Sequence, residues 1–270
     1  MKRRRSLVFW CVVLGLIVFM TILSNFFSPF EPNEMNMDKI YEPPTTEHLL
    51  GTDHLGRDVF IRLLEGGKVT LAISAIAVLL GLLIGVVYGG ISGYAGGLTD
   101  AIMMRFLDAF IAIPSLIIIL AFQAMTQGGI WSLAVIIGLT NWLVTARIVR
   151  SEFRRLKEME FVQMAKMLGT PRWKIFLQHM LRNSVPAVFV VTLFNFAGAV
   201  FTEASLSFLG IGVPPAIPSW GNMLYYAQND ILIGAWWIAL FPGFIIFVTL
   251  LAVNFIGEAL KDPERRQWNA

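Results

Sequence analysis

Residues 69–91 read VTLAISAIAVLLGLLIGVVYGGI, without a charge or a proline. At about 1.5 Å per residue a helix of this run reaches about 35 Å, more than the roughly 30 Å hydrocarbon core of a bilayer. In hydrocarbon the backbone must bond to itself, so so long an apolar run predicts a membrane-crossing helix. Five more windows read the same way: residues 7–28, 102–122, 130–149, 185–208 and 231–257. Of the 21 basic and 18 acidic residues, only Arg105, Asp108, Arg147 and Glu203 fall inside the six windows. The expected fold is an all-α polytopic membrane protein with six transmembrane helices. The ten-residue alternation of a membrane β-barrel is absent from the sequence.

Composition supports this class. The 270 residues are 56% hydrophobic and 14% charged, with a mean hydropathy of +0.68. That balance excludes a disordered chain, a collagen-like fibre and an ordinary cytosolic enzyme. The net charge of +3 does not point to nucleic acid, because the basic residues gather at membrane flanks. Cys11 is the one cysteine, so no intrachain disulfide and no cysteine-based metal site can form.

Met1-Lys2-Arg3-Arg4-Arg5 is a positive start, but the apolar run after it is too long for a secretory signal and no small-residue cleavage site follows. Residues 1–30 therefore read as a signal-anchor helix. Segment 31–68 holds four basic and eight acidic residues, whereas 150–182 holds eight basic and three acidic. Basic residues favour the cytoplasmic side. Six crossings from an inner N-terminus put 31–68 outside, 150–182 inside and the C-terminus inside, so charge bias and parity agree.

Residues 29–50, with Pro29, Pro32, Pro43 and Pro44, predict an extended external linker. Ser92 to Gly97 predicts a tight inner turn, and Pro214, Pro215 and Pro218 a stiff last external loop. The core is expected over 69–257, with a cytoplasmic loop at 150–184 and a tail from 258 to 270. No internal repeat is visible, which suggests a subunit whose partner supplies the other half of a pathway.

The inner loop is the most informative segment. Glu152 to Leu168 lacks Gly and Pro and predicts a helix, and Gly169 suits its C-terminal end. Thr170 is placed to cap a second helix, with Pro171 in the first turn, running to about Arg182. Ala165 and Gly169 lie four apart and share a face near the elbow. Two uses remain open from the residues alone: docking a soluble partner, or lying on anionic headgroups.

The run Glu160-Phe161-Val162-Gln163-Met164-Ala165-Lys166-Met167-Leu168-Gly169, followed by His179 to Asn183, resembles the EAA loop of ATP-binding-cassette (ABC) importer permeases. Ala165 and Gly169 match that pattern; Gln163 and Met164 replace its first Glu and Ala, and Arg182 stands where Pro is common. Residues 49–60, 203–212 and 218–224, together with Trp236-Trp237, Pro242-Gly243 and 257–263, resemble blocks of one branch, the dipeptide/oligopeptide/nickel permeases, in order and at matching spacing. The C-type subunit of that branch is the nearest fit.

The resemblance implies a type I ABC importer permease fold in a prokaryotic cytoplasmic membrane. It implies a second, homologous permease, two ATPase subunits, an external solute-binding protein and surrounding lipid, with ATP and Mg held by the ATPases and no cofactor in this chain. Glu160, Gln163, Met164, Ala165, Leu168, Gly169, Thr170 and Pro171 would form the ATPase-coupling loop. Cargo remains open between di- or oligopeptides, nickel or a metallophore, and glutathione. The rival class is a self-sufficient secondary transporter; a non-transporting scaffold is the third.

No phosphate-binding loop occurs, since Gly66-Gly67-Lys68 lacks the first glycine. No nucleophile, base or metal constellation suggests an enzyme, and His48, His54 and His179 do not cluster in the sequence. Glu203 is expensive in a span unless paired or wet, so it reads either as a translocation-pathway acid or as a structural acid bonded to a neighbouring helix. Arg105 and Asp108 are expected to pair along one helix, and Arg147 and Arg150 to snorkel to headgroups. Asn141, Asn195 and Asn254 read as interhelical hydrogen-bonding groups, with Asn195 also a pathway candidate. Thr52-Asp53 is placed to cap the second span with Arg57 pairing locally; the sharper reading makes Asp53, Arg57 and Asp58 a contact with the binding protein.

Overall fold

The computed structural model describes residues 2–27, 31–126 and 129–266, and every structural statement below concerns these. The chain enters as α1 (Lys2–Ile22) and a short α2 (Ser24–Phe27). The second span, α3, is Val59–Ala95, 37 residues long. It starts ten residues before its apolar window because Asp58 caps it, its carboxylate accepting from the Ile61 N–H at 2.9 Å. At about 55 Å it exceeds the hydrocarbon thickness and projects from it. Gly96 and Gly97, both at positive φ, end it at the expected turn.

The window at 102–122 is not one straight helix. α4 (Gly97–Ile111) and α5 (Ser115–Met125) meet at a 76° bend. Pro114 sits in the break; it has no N–H to donate and excludes its predecessor from helical backbone. The pair nevertheless makes one crossing. α6 (Ile130–Glu158) runs parallel to α3, for Gly81 faces Gly138, Gly85 faces Thr145, Gly89 faces Ala146 and Gly93 faces Arg150. The chain between two parallel neighbours must return once.

α7 (Glu160–Met167) follows, then α8 (Arg172–Lys174), which passes through a π-helical turn at Ile175–Leu181 into α9 (Arg182–Phe208). The second helix of the loop therefore does not stop near Arg182; it continues as the fifth span, Arg172–Phe208. α9 is antiparallel to α6: Met180 packs with Phe153, whereas Leu206 packs with Leu133. The expected final loop contains an unforeseen helix, α10 (Trp220–Asp230), whose N-cap Ser219 accepts from the Asn222 N–H at 3.1 Å. The last span, α11 (Trp237–Arg266), begins six residues after its window and absorbs the start of the expected tail; residues 267–270 lie outside the described residues.

α1 lies against α3 and α11. Thr21 fills the space beside Gly67, and Trp10 stacks on Phe255 at 5.0 Å between centroids. Its remaining apolar side chains, among them Phe9, Val12 and Phe19, point outward, as a lipid-facing span requires. The α1 N-terminus, the α11 C-terminus and the 159–171 elbow share one end of the bundle; residues 31–58 and α10 share the other.

Residues 31–58 correct the expected extended linker; Pro29 lies outside the described residues. They fold back on the bundle, bridging Thr52 to Asp58, and the Trp237 indole N–H donates to the Thr52 carbonyl at 3.1 Å. Gly56, at φ +68°, passes so close to Asn36 that a Cβ would stand 1.8 Å from its carbonyl oxygen.

Candidate functional site

The elbow at 159–171 is built in three steps. α6 ends at Glu158 because Met159 turns extended, with ψ 144°. Neither Gly nor Pro forces this, so the single helix expected over 152–168 is broken by packing. Gln163 completes the break, its Nε2–H donating to the freed Lys157 carbonyl at 2.7 Å. α7 then closes in a Schellman turn: the Thr170 N–H donates to Ala165 O at 3.0 Å and the Gly169 N–H to Lys166 O at 3.1 Å. Gly169 takes φ +73°, the left-handed backbone its sequence position required. Thr170 does not cap the next helix. Pro171 holds that place, its carbonyl accepting from Lys174 and Ile175 at 2.9 and 3.1 Å.

Val162 and Ala165 turn inward and pack with Phe153, Leu156, Ile175 and Met180. Each fully buried aliphatic side chain of such a cluster contributes about 1.5–3 kcal/mol. The elbow is thus a rigid part of the bundle. It also follows that Ala165, only 7% exposed, is no part of an open knuckle. The outward face belongs instead to Met164, Met167 and Leu168, the last two 86% and 84% exposed, with Glu160 and Gly169 beside them. The expected coupling loop includes Glu160, Met164, Leu168 and Gly169 but passes over Met167, because the break at Met159 sets which side of α7 faces out.

Ion pairs brace the same end. Arg150 binds Asp100 through two hydrogen bonds of 2.5 Å, and Ser92 donates to the same carboxylate at 2.5 Å. Arg147 pairs with Asp108 at 2.6 Å. Neither arginine is thus the simple headgroup anchor expected, and Asp108 turns to Arg147 on α6 rather than to Arg105 on its own helix.

The pathway candidates separate. Asn195 does bond across helices, its Nδ2–H donating to Thr145 Oγ1 at 2.7 Å. Asn254 instead bonds its own helix at Leu250 O, and Asn141 Nδ2 is buried without a hydrogen-bond partner. Glu203 is wholly buried; its Oε1 accepts from the Ser207 hydroxyl of the same helix at 2.8 Å, and its Oε2 is without a hydrogen-bond partner. The carboxyl is seated against Thr70 of α3 and Ser219 at the start of α10.

At the other end, Asp53, Arg57 and Asp58 are all buried and offer no surface to a partner. Arg57 does pair locally: Asp53 accepts its backbone N–H at 3.0 Å and its Nε–H at 2.7 Å, with Arg62 Nε 3.7 Å away. Asp58, not Asp53, caps α3 and also meets His48 Nδ1 at 2.8 Å. Tyr41 donates to Asp230 at 2.8 Å; burial, aided by that bond, pushes its hydroxyl up to about 12. Asp53→Asn will leave Arg57 and Arg62 buried without their counter-charge, a loss of about 3 kcal/mol or more. A falling thermal midpoint in detergent, with exposed Glu31→Gln as the unaffected control, is the expected result; an unchanged midpoint would dismiss the cluster as the fastening.

Residues 64–263 match the family described as Binding-protein-dependent transport system inner membrane component. A putative peptide permease protein of Brucella suis biovar 1 is 36% identical over 261 residues, covering 96% of this chain and 86% of that one. The dipeptide transport system permease protein DppC of Bacillus subtilis is 34% identical over 97% of this chain and 82% of its own. The glutathione transport system permease protein GsiD of Pectobacterium atrosepticum is 36% identical over 93% and 85%. Among solved structures, an inward-facing MetNI methionine ABC transporter chain superposes with a TM-score of 0.61 at 16% identity, over 73% of this chain and 93% of that one.

Proposed function

The chain belongs to the family of binding-protein-dependent transport system inner membrane components, and from that premise we propose that it is the permease subunit of an ATP-driven peptide importer. Di- or oligopeptide cargo follows the relatives that share most of its length. A glutathione cargo is the second reading, carried by the similarity to GsiD.

One observation carries the coupling role: an apolar surface of Met164, Met167 and Leu168 is presented to solvent by an elbow that buried Val162 and Ala165 lock to the bundle. Exposed apolar surface on a rigid mount suits a partner able to push or pull. The partner is an ABC ATPase that binds ATP and Mg, and its closure drives the bundle between inward-open and outward-open states. The elbow end, with both helix termini, is accordingly cytoplasmic. The opposite end faces the solute-binding protein, with segment 31–58 as a folded platform rather than a row of contacting carboxylates. A second, homologous permease completes the pathway against the exposed apolar faces of α4 and α5.

The test is transport by the reconstituted assembly. Peptide uptake should require ATP, the ATPases and the binding protein; uptake by this chain alone, driven by an ion gradient, would establish a secondary transporter instead. Glu203→Gln keeps the hydrogen-bonding shape and should leave uptake within about twofold of wild type, a change of ~0.4 kcal/mol. A selective loss for cationic peptides would restore Glu203 to the pathway.

A further inference from the structure

Behind the elbow lies a cavity of about 510 Å³, bounded by the end of α3, the last turn of α6, α7 and α8. Three cations converge on it from three elements: Lys157, Lys166 and Arg172, with the Thr170 hydroxyl and Tyr94 between them. We propose that this cavity binds a phosphate group, carried either by an anionic lipid headgroup or by a free phosphate compound.

The charge distribution supports this. Among the described residues none of the three cations stands in an ion pair, although acids are close along the chain. Asp100 is engaged by Arg150 and Arg154 and Glu152 by Arg155, while the nearer Glu158 and Glu160 are exposed and stand in no ion pair with any of the three. Lys157 is held in place, its Nζ donating to Tyr94 O at 2.7 Å and lying 5.9 Å from that ring's centre. It keeps two further N–H donors for a ligand. Burial, and then the neighbouring Lys157 charge, hold the Lys166 ammonium below its usual range. An anion seated between them supplies the counter-charge that offsets this repulsion. Two lysine point charges, one arginine fork and a hydroxyl match the several oxygens of a phosphate better than the two of a lone carboxylate. An occupant would tie the end of α3 to α7 and so stiffen the mount of the elbow. The site needs only the fold, and its test reads binding, so it stands or falls separately from the coupling reading.

The experiment uses the assembled transporter in nanodiscs. Retention of phosphatidylglycerol over phosphatidylcholine is read by native mass spectrometry, and inorganic phosphate is titrated in discs of phosphatidylcholine alone. Wild type should retain the anionic lipid or bind the free anion. The triple variant Lys157→Gln, Lys166→Gln, Arg172→Gln should lose about tenfold or more, equivalent to ~1.4 kcal/mol. Arg154→Gln with Lys174→Gln, outside the cavity, should lose little, and Lys166→Arg should retain binding. The lipid arm alone responding names a headgroup; the soluble arm alone names a free phosphate. Neither probe binding wild type, or the triple variant binding as wild type while keeping its thermal midpoint, overturns the proposal. Failure of both probes with release of the ATPase from the triple variant also overturns it, because a partner carboxylate would then fill the cavity.

Discussion

Gly89→Leu will abolish assembly of the bundle. A Cβ at Gly89 would stand 2.2 Å from the Ala146 carbonyl oxygen, and at Gly85 it would stand 2.6 Å from Thr145 Cβ. Backbone cannot rotate aside as a side-chain tip can, so α3 and α6 must separate along much of their length. Gly81, Gly85, Gly89 and Gly93 recur every four residues and form the small-residue seam on which these parallel helices meet. Helix association in lipid rests on such close packing, since lipid is as apolar as the helices. The cost belongs at or above the upper end of overpacking penalties, about 3 kcal/mol. Gly198→Leu is the control, because a Cβ there meets nothing within 4 Å. Folded yield and thermal midpoint in detergent should collapse for Gly89→Leu and hold for Gly198→Leu. Equal behaviour would show that the seam is not what joins α3 to α6.

Met167→Asp combined with Leu168→Asp should stop transport while leaving the fold intact. Both side chains are outward and lie beyond the cluster that pins α7. Central apolar anchors of an interface are worth about 2 kcal/mol or more each, so the pair should weaken ATPase docking by roughly 1,000-fold. Copurification of the ATPase with the tagged permease reads docking, and the thermal midpoint reads folding. Lost docking at an unchanged midpoint is the expected pattern. Val162→Asp should do the opposite, because Val162 is fully buried: it should lower the midpoint first.

Much of the fold was legible because hydrophobic length is a strong signal in a membrane. Six windows gave five long spans and one bent pair, and the expected parity agrees with both termini and the elbow lying at one end of the bundle. The bend at Pro114 was also written in the residues, yet the apolar count ran straight over it. The glycine seam on α3 was equally visible as a four-residue spacing and went unread. Other features were not local at all. The break at Met159 comes from packing of Val162 and Ala165 against Phe153 and Met180, residues distant in sequence. Proline and acidic content in 31–58 suggested a loose linker, because the buried partners of Asp53, His48 and Tyr41 are fixed only by folding. Gly169 was the reverse case: its left-handed turn was read from one residue type. Leu168 was already in the expected coupling loop, but the equally exposed Met167 beside it emerged only once the elbow had a direction.

The most direct measurement places a single cysteine at the elbow, Leu168→Cys in a Cys11→Ser background, and crosslinks it in membranes holding the whole assembly. An adduct with a nucleotide-hydrolysing subunit is expected, with a yield that changes when ATP is added. Adducts with lipid alone, insensitive to ATP, would contradict the coupling role.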